Sequence, residues 1–336
     1  MLRHKRTNVT KDAPMPLAPY VRILGRGPSR ARHLTRDEAR EAMGLILSGE
    51  AAPEAVGALL MLMRYRGEVP EEIAGFADAM RADLPVWRGP RPDLDWSCYA
   101  AGRTRGVPWF LLSAKLVAQA GHTVLLHGWN SHQNPIASVR GGLDHAGITQ
   151  ADTLPLAGEI IARESIAYAP LESFAPRCLD LLKLRDVLGL RSAVNTTMKV
   201  LNPGGAAAAV QGVFHPPYRE LQAAACALLG LRRVTIIKGG GGEFERHPGK
   251  DVVMHGLRDG ADWAPTAPPV LDIQARRLGE GDYTPQDLAR LWHGDLDDPF
   301  AEGIVLGTAA LAFDTLGVAS GQAALDHARA AWAKRH

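Results

Sequence analysis

The chain has 336 residues, of which 46% are hydrophobic and 22% charged, and it contains 35 glycines and 23 prolines. This composition is typical of a globular protein of about two domains. It excludes a disulfide framework, because the three cysteines are widely scattered, and no apolar run approaches the roughly 20 residues that span a bilayer. We therefore expect a protein of the reduced cytoplasm with no membrane partner.

The charge of the chain is unevenly distributed. The formal net charge is +2, yet residues 1–40 hold ten lysines and arginines against three acids. Such an asymmetry indicates an acidic partner more strongly than the total charge does. The same charges could equally belong to a solvated tail that only aids solubility.

The first ninety residues predict a flexible basic arm (1–18) followed by a small all-helical unit (19–90). Thr35 and Glu38 have the spacing of a capping box, in which each side chain bonds the other residue's backbone amide, and Gly49 can end the helix that they begin. Pro53 and Pro70 then open two further helices, since proline is favoured in the first turn. Gly25, Gly27 and Pro28 favour a loop, rather than one continuous helix, between Arg22 and Arg32.

From residue 91 the pattern changes to short apolar runs that alternate with helical stretches. The clearest predicted strands are 123–126, 234–237 and 270–273, and the predicted helices are 115–120, 220–229 and 309–331. Alternation of this kind predicts an α/β domain with a mostly parallel sheet over 91–336. A helix at 178–190 is expected to rejoin the small helical unit.

Three stretches, residues 34–80, 184–213 and 306–320, carry a resemblance that runs in order over nearly all of the chain, to the anthranilate phosphoribosyltransferase family (glycosyltransferase family 3, nucleoside phosphorylase-like fold). Residues 34–80 are similar to its helical N-terminal domain. LRDVLGLRSAVNTTMKVLNP, from residue 184, resembles the family's R-x-x-L-G-x-R-T-x-F-N-x-x-G-P-L-x-N-P, and LGTAALAFDTLGVAS (306–320) resembles its closing helix. The resemblance implies a phosphoribosyl pyrophosphate site, for which phosphate-binding glycine turns, cations and magnesium are needed.

Most of the family's substrate elements are replaced in this chain. The G-T-G-G-D loop falls on residues 98–102 (CYAAG), the N-x-S-T element on 108–111 (PWFL), and K-H-G-N-R on 126–130 (LHGWN). The Asp-Glu pair that helps to hold magnesium falls on Phe244 and Glu245. We interpret the result as a remnant phosphate and substrate pocket, formed by Gly102, Arg103, Arg105, His127, Gly128, Arg185, Lys199, Lys238, Gly239 and Glu245.

Two of these residues have a specific meaning within the resemblance. Arg185 matches the arginine expected near the anthranilate carboxylate, although a helix-end ion pair is an alternative role for it. Lys199 replaces the proline of G-P-L. The twelve histidines form no H-x-x-x-H pair with a carboxylate, so no metal site of the protein's own is expected, and no cofactor.

Two further features resemble a divergent, nucleic-acid-binding branch of the family, the YbiB type. They are the lead-in ILGRGPSRARHLTRD (23–37) and the cluster CYAAGRT (98–104). The branch implies a homodimer, joined through the small helical domains, that binds single- or double-stranded DNA, or RNA, with little sequence preference. The predicted contacts are the basic residues Lys5, Arg6, Arg22, Arg26, Arg30, Arg32, Arg36 and Arg40, since arginine suits phosphate through its planar fork.

The function predicted from the sequence is therefore nucleic-acid binding without catalysis. The alternative is a glycosyltransferase of the pentosyl type that uses phosphoribosyl pyrophosphate and an unidentified acceptor. Only this alternative would require Mg²⁺, with Arg103, Lys199, Lys238 and Glu245 at the phosphates and the metal.

Overall fold

The computed structural model describes residues 16–27, 29–100, 106–129, 135–272 and 276–335. Five predicted site residues lie outside these ranges, namely Lys5, Arg6, Gly102, Arg103 and Arg105. Most of the predicted arm also lies outside them.

The small N-terminal unit is helical, as predicted. Its helices are α1 (Ala18–Gly25), α2 (Arg36–Ser48), α3 (Pro53–Arg66) and α4 (Pro70–Ala82). The capping box of α2 is present, because the Glu38 amide donates to the Thr35 hydroxyl (3.2 Å) and the Thr35 amide donates to the Glu38 carboxylate (2.9 Å). Gly49 ends α2 in the left-handed region (φ 81°). The predicted loop begins where α1 ends at Gly25, so no continuous helix runs through the described residues from Arg22 to Arg32, although Arg22 itself lies in α1.

The larger unit combines a central sheet with helices. Its helices are α5 (Phe110–Gln119), α6 (Val139–Ala146), α7 (Leu154–Glu164), α8 (Leu171–Phe174), α9 (Pro176–Leu188), α10 (Ala193–Thr197), α11 (Tyr218–Leu228), α12 (Gln286–His293), α13 (Pro299–Leu316) and α14 (Gly321–Trp332). Its strands are β1 (Leu94–Cys98), β2 (Val124–Gly128), β3 (Ile166–Pro170), β4 (Ala208–Val213), β5 (Arg233–Lys238), β6 (Val252–Arg258), β7 (Ala261–Trp263) and β8 (Thr266–Ala267). The predicted fold class, a helical unit with a larger and mostly parallel α/β unit, is confirmed.

The strand order is β3-β2-β1-β4-β5-β6-β7, and β8 also pairs with β6. Strands β3, β2, β1, β4 and β5 are parallel, while β6 and its neighbours run antiparallel. The order of the chain reverses between β1 and β4. In open α/β sheets, ligands bind in the crevice beyond the carboxyl ends of the strands at such a switch point.

Helix α9 connects the two units. The Arg177 guanidinium donates to the carbonyl of Leu47 at the end of α2, and Gly57 of α3 faces Leu188. From α4, Arg81 donates to the carbonyl oxygens of Val200 (3.0 Å) and Leu201 (2.7 Å). From α3, Arg64 donates to the Tyr218 hydroxyl, and because Tyr218 follows β4 this contact places the end of α3 beside the carboxyl end of β4.

Two apolar cores lie on opposite faces of the sheet. One contains the small helical unit together with residues such as Leu125 and Val234, and the other contains Leu94, Trp96 and helices α5 and α13. Helix α13 is long and apolar enough, by length and composition alone, to cross a membrane, but 78% of it is buried inside the fold, as in a core helix.

Two predictions of secondary structure are wrong. The predicted helix at 309–331 is two helices, because Gly317 ends α13 at φ 80° and α14 begins at Gly321. The predicted strand at 270–273 does not form in its described part, where the amides of Val270 and Leu271 both donate to the Pro248 carbonyl and bend the chain.

Candidate functional site

A cleft of about 360 Å³ lies at the switch point, between the small helical unit and the ends of β1 and β4. We call it the basic cleft. Its cations are Arg64 at the end of α3, Arg185 in α9, Arg191 and Lys199. Among the described residues, no aspartate or glutamate lines it. Its other polar groups are those of Tyr99, Ser192, Asn195, Thr196, His215, Tyr218 and Gln222.

Three arginines of the basic cleft are close enough to repel one another. Burial lowers the pKa of Arg191, and the nearby charges of Arg185 and Arg64 lower it further. The Nη1 atom of Arg185 is buried and makes no hydrogen bond. Arg64 donates to the Tyr218 hydroxyl, and its nearest carboxylate, that of Glu68, is 4.0 Å away. An anion that entered the cleft would relieve this repulsion.

Lys199 lies between the basic cleft and the described residues at the positions of the family's phosphate and magnesium elements (98–100, 108–111 and 243–245), which we call the pyrophosphate end. Its ammonium donates to the carbonyl oxygens of Gly212 and Gly242, the second at 2.9 Å. Burial lowers the pKa of Lys199 to about 8, and the nearby Glu243 opposes this shift. The lysine that replaces the family proline thus ties the end of β4 to the turn after β5.

Two buried carboxylates occupy the amides that a phosphate would use at the pyrophosphate end. Glu243 accepts a hydrogen bond from the Ala100 amide (3.0 Å), and Glu245 accepts one from the Phe110 amide (3.1 Å) at the start of α5. Helix N-termini and turns after strands are the usual phosphate sites of such folds. Here the Ala100 and Phe110 amides each donate to a carboxylate of the protein.

The position of the family aspartate offers no ligand to magnesium. Phe244, at the position of the family aspartate, is fully buried and packs edge-to-face on Trp96 with ring centres 5.4 Å apart. Among the described residues, no group of three or more His, Cys, Asp or Glu side chains could hold a metal ion. Glu243 and Glu245 are committed to backbone amides.

His127 and Gly128 have packing roles. The Nδ1 atom of His127 is 2.8 Å from the Tyr99 hydroxyl, its Nε2 atom is 3.1 Å from the Asp95 carboxylate, and the ring is fully buried. A Cβ atom on Gly128 would lie 2.0 Å from the Cys98 carbonyl oxygen. The structure does not bring either residue into the basic cleft.

Of the remaining residues predicted for the pocket, two line the basic cleft and two do not. Arg185 and Lys199 line the basic cleft, whereas Lys238 is exposed at the end of β5. The turn after Gly239 packs directly against it, because a Cβ atom there would lie 1.7 Å from the Glu243 carbonyl oxygen.

The predicted nucleic-acid contacts also differ among themselves. Three of these arginines are held by neighbouring carboxylates: Arg32 by Glu38 (2.6 Å), Arg36 by Asp78 (2.7 Å) and Arg40 by Asp37 (3.3 Å). The other three described ones, Arg22, Arg26 and Arg30, are exposed, and within the described ranges their side chains have no ion-pair partner. Near them, a groove of about 420 Å³ is lined by Leu24, Gly25, Gly27, Ala31, Leu62, Tyr65 and Arg66.

Sequence reasoning did not assign Arg64, Arg191 or Tyr218 to a site. The signal for Arg64 that the sequence offers is the arginine-tyrosine-arginine run at the end of α3. Its partner Tyr218 is 154 residues away in the chain, so only the fold brings the two together.

Comparisons with known proteins agree with this architecture. Residues 18–83 match the family model described as "Glycosyl transferase family, helical bundle domain". Two anthranilate phosphoribosyltransferases are similar in sequence. That of Rhodopseudomonas palustris is 31% identical over 72% of this chain and 70% of its own length, and that of Moorella thermoacetica is 34% identical over 63% and 62%.

Two solved structures have the same fold. Anthranilate phosphoribosyltransferase from Thermus thermophilus superimposes with a TM-score of 0.79 at 25% identity, over 95% of this chain and 94% of that one. The Saccharomyces cerevisiae enzyme, in complex with PRPP and Mg, superimposes with a TM-score of 0.77 at 17% identity, over 96% and 94%, which shows the fold alone. From the sequence and structural matches together, the chain belongs to the anthranilate phosphoribosyltransferase family.

Proposed function

We propose that the basic cleft and the exposed arginines beside it bind the phosphate backbone of a nucleic acid. The observation that carries the proposal is the set of four cations in a cleft that no described acid lines. Arg185 and Arg191 form no ion pair within the described ranges, and partly buried cations without a counter-charge favour an anionic ligand. Arg66, which lines the groove beside α1, and the exposed Arg22, Arg26 and Arg30 near it favour a ligand with several phosphates.

The second groove continues the positive surface away from the cleft. Arg64 faces the basic cleft, while Tyr65 and Arg66, which follow it in α3, line the groove beside α1. Arg22, Arg26 and Arg30 lie on α1 and in the segment that follows it. A flexible polyanion could therefore contact both grooves at once. Contacts of this kind read the backbone, so we expect little sequence preference.

We also propose, with the sequence resemblance, that the protein is a homodimer joined through its small helical units. Two copies of the positive surface would then face one ligand. Light scattering coupled to size exclusion measures the mass directly, and a monomer at micromolar concentration would contradict this part of the proposal.

Fluorescence anisotropy with two labelled oligonucleotides of unrelated sequence tests the nucleic-acid proposal. Both should bind with similar affinity, and the affinity should fall steeply between roughly 50 and 200 mM salt, because bound counterions are released. The triple variant Arg22→Gln, Arg26→Gln, Arg30→Gln should weaken binding to both alike.

A matched control removes the same charge elsewhere. Arg163, Arg277 and Arg329 are exposed residues of other parts of the chain, and each pairs with a nearby carboxylate. Replacing these three by glutamine should leave binding close to that of the unmodified protein. An equal loss in both triple variants would show that only total charge matters and would overturn the proposed surface.

The second candidate is a pentosyl transferase that uses phosphoribosyl pyrophosphate and an unidentified acceptor. Family membership favours it, since the relatives are named as phosphoribosyltransferases. The arginine-lined cleft at the switch point would then hold an anionic substrate. Against it stand Phe244 at the position of the family aspartate and the backbone hydrogen bonds that Glu243 and Glu245 accept. Calorimetry with phosphoribosyl pyrophosphate and Mg²⁺ separates the candidates, since magnesium-dependent micromolar binding would favour the transferase.

A further inference from the structure

A second cavity of about 310 Å³ shares no lining residue with the basic cleft. Its walls are the antiparallel strands β6–β8 on one side and helices α13 and α14 on the other. The lining is largely apolar and includes Met254, Trp263, Leu311 and Leu325. Its volume is at the lower end of the range for small-molecule sites.

Arg246 is the unusual member of this lining. The residue is only 4% exposed and makes no salt bridge within the described part of the chain. One guanidinium nitrogen donates to the Pro268 carbonyl, while the Nε atom is buried and has no hydrogen-bond partner. A buried guanidinium with unused donors is costly unless an anion joins it.

The other charges of the cavity do not neutralise Arg246. The only acid lining this cavity among the described residues, Asp314, accepts two hydrogen bonds from Arg258 (2.9 and 3.1 Å). Burial lowers the pKa of Arg246 to about 10, and Asp251 opposes this shift. Arg246 is therefore charged at neutral pH, and the cavity keeps a positive charge that its own walls do not balance.

The packing around Arg246 holds its side chain against the cavity wall. A Cβ atom on Gly307 would lie 3.1 Å from the Cδ atom of Arg246, so the glycine in α13 leaves room for the arginine side chain. The backbone amide of Arg246 donates to the Thr308 hydroxyl (2.9 Å). Both contacts orient the guanidinium before any ligand arrives.

We propose that this cavity binds a small organic carboxylate with an apolar body. The carboxylate would accept hydrogen bonds from Arg246, and the apolar body would pack against Trp263, Leu311 and Leu325. Bidentate recognition of a carboxylate is the usual role of a planar guanidinium. The site is independent of the basic cleft and of the function proposed for it.

Calorimetry and thermal unfolding of the full chain with sodium benzoate test this proposal, with benzyl alcohol as the neutral analogue of the same size. Benzoate should bind in the millimolar range or tighter and raise the melting temperature. Benzyl alcohol should bind at least about tenfold more weakly, because it lacks the charge that Arg246 requires. Equal binding of the two compounds, or no binding of benzoate, would overturn the proposal.

Two variants locate the benzoate. Arg246→Gln should reduce its affinity at least about tenfold, whereas Arg185→Gln, in the basic cleft, should leave the affinity unchanged. Ala324→Leu keeps Arg246 and fills the cavity from α14, so it should abolish binding even if Arg246→Gln fails to fold. Unchanged binding in folded Ala324→Leu, or loss of binding only in Arg185→Gln, would place the benzoate elsewhere and contradict the site.

Discussion

Two adjoining regions at the carboxyl edge of the sheet treat anions in opposite ways. At the pyrophosphate end, Glu243 and Glu245 accept the backbone hydrogen bonds that a phosphate would take. In the basic cleft, four cations meet with no described acid in the lining. The difference teaches that, within one fold, neighbouring backbone and side-chain donors can be paired with the protein's own carboxylates in one region and left facing a cleft in the next. Lys199 lies between the two regions, so the first variant below replaces it.

The largest effect is expected for Lys199→Met, which removes the cation between the two regions. The carbonyl oxygens of Gly212 and Gly242 would lose their donor, and Glu243 would lose a nearby buried positive charge. We expect the free energy of unfolding to fall by about 3 kcal/mol, as for other broken buried ionic contacts. Urea unfolding measures it, with the exposed Lys238→Met as control. A loss no larger than that of the control would mean that Lys199 does not hold the filled end together.

Gly128→Ala should show that the glycine retained at the pyrophosphate end is kept for packing. The added methyl group would meet the Cys98 carbonyl oxygen at 2.0 Å. We expect a destabilisation of about 2 kcal/mol, typical of overpacking. Gly44→Ala is the matched control, since nothing lies within 4 Å of its Cβ position in α2, and alanine there should stabilise the protein slightly. Similar stability of both variants would refute the packing role.

The double variant Arg185→Gln, Arg191→Gln tests the open region. Oligonucleotide affinity should fall about tenfold, and the slope of log affinity against log salt should decrease by about one for each arginine that contacts a phosphate. Anisotropy titrations at several salt concentrations measure both quantities. If the affinity fell and the slope did not, the two arginines would act through something other than phosphate contacts.

The smallest effect is expected for Glu245→Ala, which should partly reopen the filled end. The Phe110 amide loses its acceptor, so the free energy of unfolding should fall by about 1 kcal/mol in phosphate-free buffer. Millimolar inorganic phosphate should then stabilise the variant more than the unmodified protein. Glu245→Gln, which keeps an acceptor oxygen, is the control and should show little phosphate response. An equal phosphate response in all three proteins would contradict the view that the carboxylate occupies a phosphate site.

The sequence predicts those parts of the fold that depend on local signals. Thr35, Glu38, Gly49, Pro53 and Pro70 mark the ends of helices because capping and proline effects act over one helical turn. The replaced family elements at 98–102 and Phe244 could likewise be read directly. The apolar run at 270–273 was misleading, because a short hydrophobic run does not reveal that its amides bond to a distant carbonyl, that of Pro248.

The site depends on contacts between distant parts of the chain, and the sequence predicts it less well. Arg64 in α3 lies close to Arg191 and Tyr218, which are more than a hundred residues later in the chain. The inward bonds of Glu243 and Glu245 could not be predicted either, since a carboxylate after a strand suits a metal as well as a backbone amide. Membership of the nucleic-acid-binding branch stays a prediction.

A competition experiment tests the contrast between the two regions most directly. A labelled oligonucleotide bound to the unmodified protein is titrated with phosphoribosyl pyrophosphate in the presence and absence of Mg²⁺, at constant ionic strength. Our account predicts saturable oligonucleotide binding and weak displacement that does not depend on Mg²⁺, because the pyrophosphate end is already filled. Micromolar displacement that requires Mg²⁺, or no oligonucleotide binding to displace, would contradict it.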